Sequence, residues 1–321
     1  MRILAGLAIL ATALWCGYWF VGRTALDRAI VAGLAATPEV AVAGHSIAGF
    51  PNRFDVTFDE PRLTDGALTW RAPFVQVFAL SYRLNHLLAV FAHDQQITAR
   101  GIDATIHSED LRASLVMEAG LDLPLDRLTL VGQALDLGVN ATHHQIDTLR
   151  AASRRSDAAL HEVAIVLEGT LPDPAAMDRL DPQRIWPRRF DLLRLDAEIE
   201  FDAVLDRHLV QGQPPRMTRL TLTGAQVRYE ATDITVAGRL TPDAEGVLSG
   251  DLTVTVTGFH NLMRRAREAG LMPPEHETLM TMALQGLVSP DDPDRIEAAF
   301  AVVDGDVRMG PILVGTLPPL R

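Results

Sequence analysis

Along most of its length the chain alternates apolar and polar residues with the period of two that marks a half-buried β-strand. Phe54, Val56 and Phe58 alternate with Asp55, Thr57 and Asp59 before Pro61, and Ile102, Ala104 and Ile106 alternate with Asp103, Thr105 and His107. Runs at Leu111 to Leu115, Leu121 to Leu125, Leu128 to Leu130 and Leu135 to Val139 continue the ladder, with turn residues at Gly120 and Gly132. They predict a β-meander. Ala67 to Phe91 is apolar on both faces around Trp70, Phe74, Val77, Phe78 and Leu88. Central strands and a buried helix fit that segment equally. Val163, Ile165 and Leu167 form a strand ending at Gly169. The strongest alternation runs from Leu193 to Phe201, where Arg194, Asp196, Glu198, Glu200 and Asp202 make the other face wholly charged. Leu220 and Leu222 share a face until Gly224 shifts the phase to Ala225, Val227 and Tyr229, which predicts a bulge or turn. Leu252, Val254 and Val256 then oppose Thr253, Thr255 and Thr257.

The period changes in a few places. Ile146, Leu149 and Ala152 form one stripe in His144 to Arg155, with Arg150, Arg154 and Arg155 toward its end, where positive charge suits a helix dipole. That spacing predicts a helix. Phe259, Leu262, Met263 and Ala266 fall at i, i+3, i+4 and i+7 with Gly270 as the C-terminal stop, and Glu275 to Val288 predicts a further helix after Pro273-Pro274. The chain closes on a hairpin around Asp304-Gly305, followed by Gly310-Pro311. Pro172, Pro174, Pro182 and Pro187 mark residues 171–189 as a linker between a β-rich half, 23–170, with one helix and a second, 190–321, with two.

Ile3 to Val21 is a run of 19 residues without a charge. As a helix it reaches about 29 Å, enough to cross a bilayer. Trp15, Tyr18, Trp19 and Phe20 gather at its end, where amphipathic rings favour the headgroup level. Ala11-Thr12-Ala13 has the look of a signal-peptidase site, but the apolar run continues well past it, so residues 1–22 read as a retained transmembrane anchor. Trp15 before Cys16 is too large for a lipoprotein cleavage site. Thr24 to Thr37 predicts a separate short helix ending at Pro38. Arg2 is nearly balanced by Arg23 and Arg28, so the flanks do not set orientation. The cysteine-free remainder, rich in short strands, favours a periplasmic domain on an inner-membrane anchor.

Composition removes chemistry more than it supplies it. All 29 basic residues are arginine, which excludes a Walker A loop, a Schiff-base lysine, the Ser-x-x-Lys pair and the kinase lysine. The single cysteine, Cys16, lies inside the anchor, so thiol catalysis, disulfides and cysteine-bound zinc are excluded from the rest. No two of the ten histidines lie four apart, and Ser46 misses the nucleophile-elbow pattern by one position. Asp291, Asp292 and Asp294 are interrupted by Pro290 and Pro293 and read as a solvated turn rather than a calcium loop. No catalytic residue, metal or cofactor is therefore expected. The net charge of −12 argues against nucleic acid as a partner. Arg264, Arg265 and Arg267 form a basic helix face, first a solvated surface and second a contact for phospholipid headgroups; Arg188-Arg189 lies beside Trp186.

The fold class predicted is mainly β with a few helices (α+β). Antiparallel meander sheets, curved or folded into a half-barrel, stand behind one N-terminal transmembrane helix. The anchor, Gly49-Phe50-Pro51-Asn52-Arg53-Phe54, the Phe259 to Gly270 helix, Asp304-Gly305 and Gly310-Pro311 resemble a bacterial family known as domain of unknown function 2125. The resemblance implies a Gram-negative envelope protein without a catalytic signature. Anchor plus amphipathic meander is also loosely similar to AsmA-like envelope proteins, which implies a lipid-related role by analogy of fold. Strands with one apolar face must cover one another, be covered by the helices, or hold an apolar ligand; ordinary core packing is the first reading, and the function expected beyond it is non-enzymatic binding or shielding of lipid-like molecules. The alternative is a scaffold that binds envelope proteins through sheet edges or helices 259–288.

Overall fold

The computed structural model describes residues 2–210, 215–271 and 286–320. The chain divides into two compact units, Met1–Ala141 and Thr142–Arg321.

The first unit opens with α1 (Arg2–Ala36), one continuous helix. The separate helix expected from Thr24 is thus its second half: neither Gly22 nor Arg23 interrupts the ladder, and the helix stops just before Thr37-Pro38. Eleven strands follow: β1 (Val40–Ala41), β2 (Gly44–Ala48), β3 (Arg53–Asp59), β4 (Arg62–Asp65), β5 (Leu68–Arg71), β6 (Phe74–Leu80), β7 (Arg83–Phe91), β8 (Asp94–Ala99), β9 (Ile102–His107), β10 (Asp110–Met117) and β11 (Leu125–Val139). Their pairings reveal a simpler plan. In one half the order is β2-β3-β6-β7-β10-β11, in the other β1-β4-β5-β8-β9-β11, every pair antiparallel. The unit is therefore a meander of six long strands, most of them broken by two residues at the same level. Cross-strand bonds persist through the breaks, as from Glu60 N to Pro73 O at 2.9 Å and from Ser108 N to His93 O at 2.9 Å. Ala72, Ala92 and Ser108 are buried there. Small side chains leave room for a strand to bend at these points. Ala67 to Phe91 accordingly forms strands and not a helix.

In the second unit, β12 (Thr142–Asp157), β13 (Leu160–Thr170), β14 (Phe190–Phe201), β15 (Met217–Tyr229), β16 (Thr232–Pro242) and β17 (Leu248–Thr257) pair in sequence. Helix α2 (Pro174–Leu180) lies between β13 and β14. Helix α3 (Phe259–Glu268) follows β17; then come β18 (Val288–Ser289), β19 (Asp292–Val303), which pairs with β17, β20 (Asp306–Met309) and β21 (Ile312–Thr316). Gly270 takes φ +69° beyond α3, and Asp304-Gly305 both take positive φ in the hairpin, as their turn chemistry requires. The shift at Gly224 is a bulge opposite Asp196 and Ala197. The helix expected over Glu275 to Val288 lies outside the described residues as far as residue 285; Gly286 and Leu287 form a turn, and Val288 begins β18.

The helix expected over His144 to Arg155 is corrected to strand β12. Arg150 and Arg154 lie four apart, a spacing that puts them on one face of a helix and equally of a strand. In the sheet they meet Glu168 at 3.4 Å and Glu162 at 2.5 Å on β13, cross-strand pairs that replace the supposed dipole contact. Residues 171–189 lie inside the second unit. They hold α2, capped by Asp173, whose carboxyl is held below the usual range by the backbone N–H groups of His143 and Ala176.

Candidate functional site

The register of the second unit sets apolar residues in transverse rows across six strands. One row is Leu167–Leu193–Val227–Ile234–Val256–Ile296, and the next is Ile165–Leu195–Ala225–Val236–Val254–Ala298. The alternation noted in each strand thus sums to one continuous apolar face, with Arg194, Asp196 and Glu198 on the reverse. Its coverage is uneven. Phe259 of α3, with Leu262 and Met263, packs onto Val256, Ile296, Ile234 and Val254. Val307 and Leu317 pack against Leu240, Leu248 and Val302 farther along the face. Both contacts lie mainly over β16, β17 and β19; beside them, the rows on β13 to β16 stay half-buried and line an open groove of about 320 Å³. That size falls at the lower end of the range for small-molecule sites, about 300–1,000 Å³.

The three arginines proposed for headgroups are not equivalent. Arg265 keeps only 14% of its side-chain exposure, bonds the Ile185 carbonyl and pairs with Glu230 at 2.5 Å, so it fastens α3 to the β15–β16 turn. Arg264 is exposed and pairs with Glu268 at 3.3 Å along the helix, and Arg267 is exposed as well. Only Arg264 and Arg267 therefore face solvent beside the apolar sheet. Arg188 and Arg189 are engaged with Asp181 and Asp147.

Other candidates take framework positions. Ser46 points outward from β2. Asp294 accepts from the backbone N–H of His260 and meets its imidazole at 2.6 Å, holding the start of α3, and Asp292 accepts from the Asp294 N–H. Among the described residues no three His, Cys, Asp or Glu side chains converge as metal ligands. His161 is fully buried on β13, with Nδ1 3.1 Å from Ser153 Oγ and its ring edge-on to Phe201. Burial, with Arg155 nearby, holds its pKa below the usual histidine value.

A second constellation joins the anchor to its sheet, and sequence reading missed it by assigning the whole aromatic cluster to the membrane boundary. Trp19 is buried: its indole N–H donates to the Arg53 carbonyl at 2.7 Å, and its ring stacks on Phe54 and meets Phe50 edge-on. The Tyr18 hydroxyl donates to Ser81 O at 2.7 Å and Trp15 Nε1 to Asn52 Oδ1 at 3.1 Å. Gly22 leaves room for Phe54, whose ring tip would lie 2.9 Å from a Cβ there. Leu26 and Ile30 extend the contact onto Ile47, Val56 and Phe58. The motif from Gly49 to Phe54 is therefore the socket for α1. Among the described residues α1 alone is long and apolar enough to cross a membrane, and the residues from Ile3 to Trp15 are exposed.

No curated protein and no solved structure matches the chain. A family model does, over residues 19–318, so the match begins at Trp19, the buried residue of that socket. It bears on this family alone and lends nothing to the likeness with AsmA-like proteins. With the anchor socket, the meander, α3 and the terminal hairpin all inside the matched span, the chain belongs to the family described as uncharacterised proteins conserved in bacteria, DUF2125.

Proposed function

We propose that this protein is a membrane-anchored envelope protein that binds or shields lipid-like molecules on the apolar face of its second unit, without transforming them chemically. The anchor is α1 in the inner membrane, with the bulk of the chain in the periplasm. The observation that carries the reading is the groove on β13 to β16, where two apolar rows lie half-buried beside the part of the face that α3 covers. Each buried methylene of an acyl chain gains about 0.8 kcal/mol on leaving water, so a strip of this kind favours a linear apolar ligand. Arg264 and Arg267, exposed on the adjoining helix, offer charge to an anionic headgroup. The test is mass spectrometry of the full-length protein extracted without denaturation. Phospholipid should co-purify with it and be lost from Leu195→Arg; absence of bound lipid from the unaltered protein overturns the reading.

A scaffold is the second reading, favoured by β21. All five residues, Ile312 to Thr316, are exposed, and the strand pairs only with β20 among the described strands. A free apolar edge can accept a strand from another protein. In-cell crosslinking through a photoreactive residue at Leu313 should then capture one envelope protein stoichiometrically, and a consistently uncrosslinked chain removes this reading.

A further inference from the structure

We infer that one end of the first unit is itself a membrane-contacting surface, in which the tips of three β-hairpins enter the outer part of the bilayer. The inference rests on α1 spanning a membrane, and it follows from where that helix first touches its own sheet. Ile3 to Leu14 is exposed throughout, and among the described residues the first hydrogen bond from the helix to the sheet is made by Trp15, followed by Tyr18 and Trp19. Those 12 residues rise about 18 Å. A hydrocarbon core is about 30 Å thick. The free segment cannot cross it, so crossing requires much of residues 15–22 as well. One side of that stretch is occupied by the sheet, at Asn52, Arg53 and Ser81, so a helix that spans brings these turns down with it.

The turns have the composition this position demands. In a six-strand meander the loops at residues 49–52, 81–82 and 118–124 share one end, and those at 66–67 and 100–101 share the other. At the α1 end, Phe50 and Leu84 are exposed, Tyr82 keeps 66% of its accessible surface and Leu121 86%. Tyr18, Tyr82, Leu84 and Leu123 line a common depression there, which links the helix surface to the outer hairpins. Large apolar side chains exposed together at loop tips are costly in water and favourable at an interface. The charges at this end are of both signs: Glu118 and Asp122 in the third loop, and the exposed Arg53, paired with Asp55, and Arg83 just beyond the first two. With the two signs balanced, apolar contact drives the insertion, and the opposite end of the strands points away from the bilayer.

The test places an environment-sensitive fluorophore on full-length protein in a Cys16→Ser background, reconstituted in phosphatidylcholine vesicles carrying acyl-chain quenchers. Labels go on Leu121→Cys and Tyr82→Cys at the tips, on Ala67→Cys at the far end, and on Ala8→Cys in the helix. The expected result is quenching at Ala8, Leu121 and Tyr82, none at Ala67, and no change when phosphatidylglycerol replaces part of the lipid. Quenching at Ala8 with Leu121 and Tyr82 as unquenched as Ala67 overturns the tip contact and leaves the anchor standing. An unquenched Ala8 overturns the anchor and, with it, the tip contact.

Discussion

The docking of α1 onto the first unit can be tested at one side chain. Trp19 is 4% exposed, stacks on Phe54, meets Phe50 and Phe20 edge-on, and donates to a backbone carbonyl of β3. Trp19→Ala removes the ring and opens a cavity that the rigid hairpin fills poorly, a loss of about 3–5 kcal/mol. Trp19→Phe keeps most of the aromatic burial and removes the N–H donor, for about 1 kcal/mol. Trp15 is the control: 39% exposed, with its indole bonded to the Asn52 side chain, it should cost well under Trp19 when truncated. For a unit of this size the Trp19→Ala change corresponds to a drop in midpoint on the order of 10 °C. The assay is thermal unfolding of detergent-solubilised full-length protein followed by circular dichroism, with limited proteolysis to report release of the helix. The expected order of midpoints is wild type, then Trp19→Phe, then Trp19→Ala. If Trp19→Ala unfolds with the wild-type midpoint, or no lower than Trp15→Ala, the helix does not depend on this socket and the docking argument fails.

Two further outcomes follow from the second unit. Burial lowers the pKa of His161 in the folded state, so as pH falls the unfolded chain, with its ordinary value near 6.5, takes up this proton before the folded one does. Its contribution is therefore intact above that pH and lost as pH falls below it. The denaturant midpoint of wild type should drop more between pH 7.5 and 5.5 than that of His161→Gln, and equal drops refute the assignment. Gly250 takes φ +153° opposite Leu240, and an added Cβ would stand 2.0 Å from the Arg239 carbonyl oxygen. Gly250→Ala should cost about 3 kcal/mol or more through backbone displacement, whereas Gly224→Ala, with nothing within 4 Å of the new atom, should unfold close to wild type in the same thermal assay.

What the sequence determined by itself is what neighbouring residues decide. Leu193 to Phe201 could only be a strand with one charged face, because side chains alternate sides by backbone geometry. Asp304-Gly305 and Gly270 mark a hairpin and a helix end because left-handed backbone favours those residues. The apolar N-terminal run shows its capacity to span a membrane in its length and lack of charge. Contacts between distant segments had no such local signature. Arg150 and Arg154 suit a helix or a strand alike, and only Glu162 and Glu168 on the next strand select β12. Arg264, Arg265 and Arg267 read as one basic face until Glu230 and the Ile185 carbonyl, each more than thirty residues away in sequence, draw Arg265 inward. The same holds for both constellations proposed to act. The groove exists because register stacks apolar positions from separate strands into rows that α3 covers only in part. Trp19 leaves the boundary aromatics for a socket because a hairpin more than thirty residues later brings a carbonyl and two phenyl rings to it. Alternation and turn chemistry are properties of adjacent residues; register, coverage and docking belong to the folded chain, and there the tertiary structure decided which surfaces remain available for function.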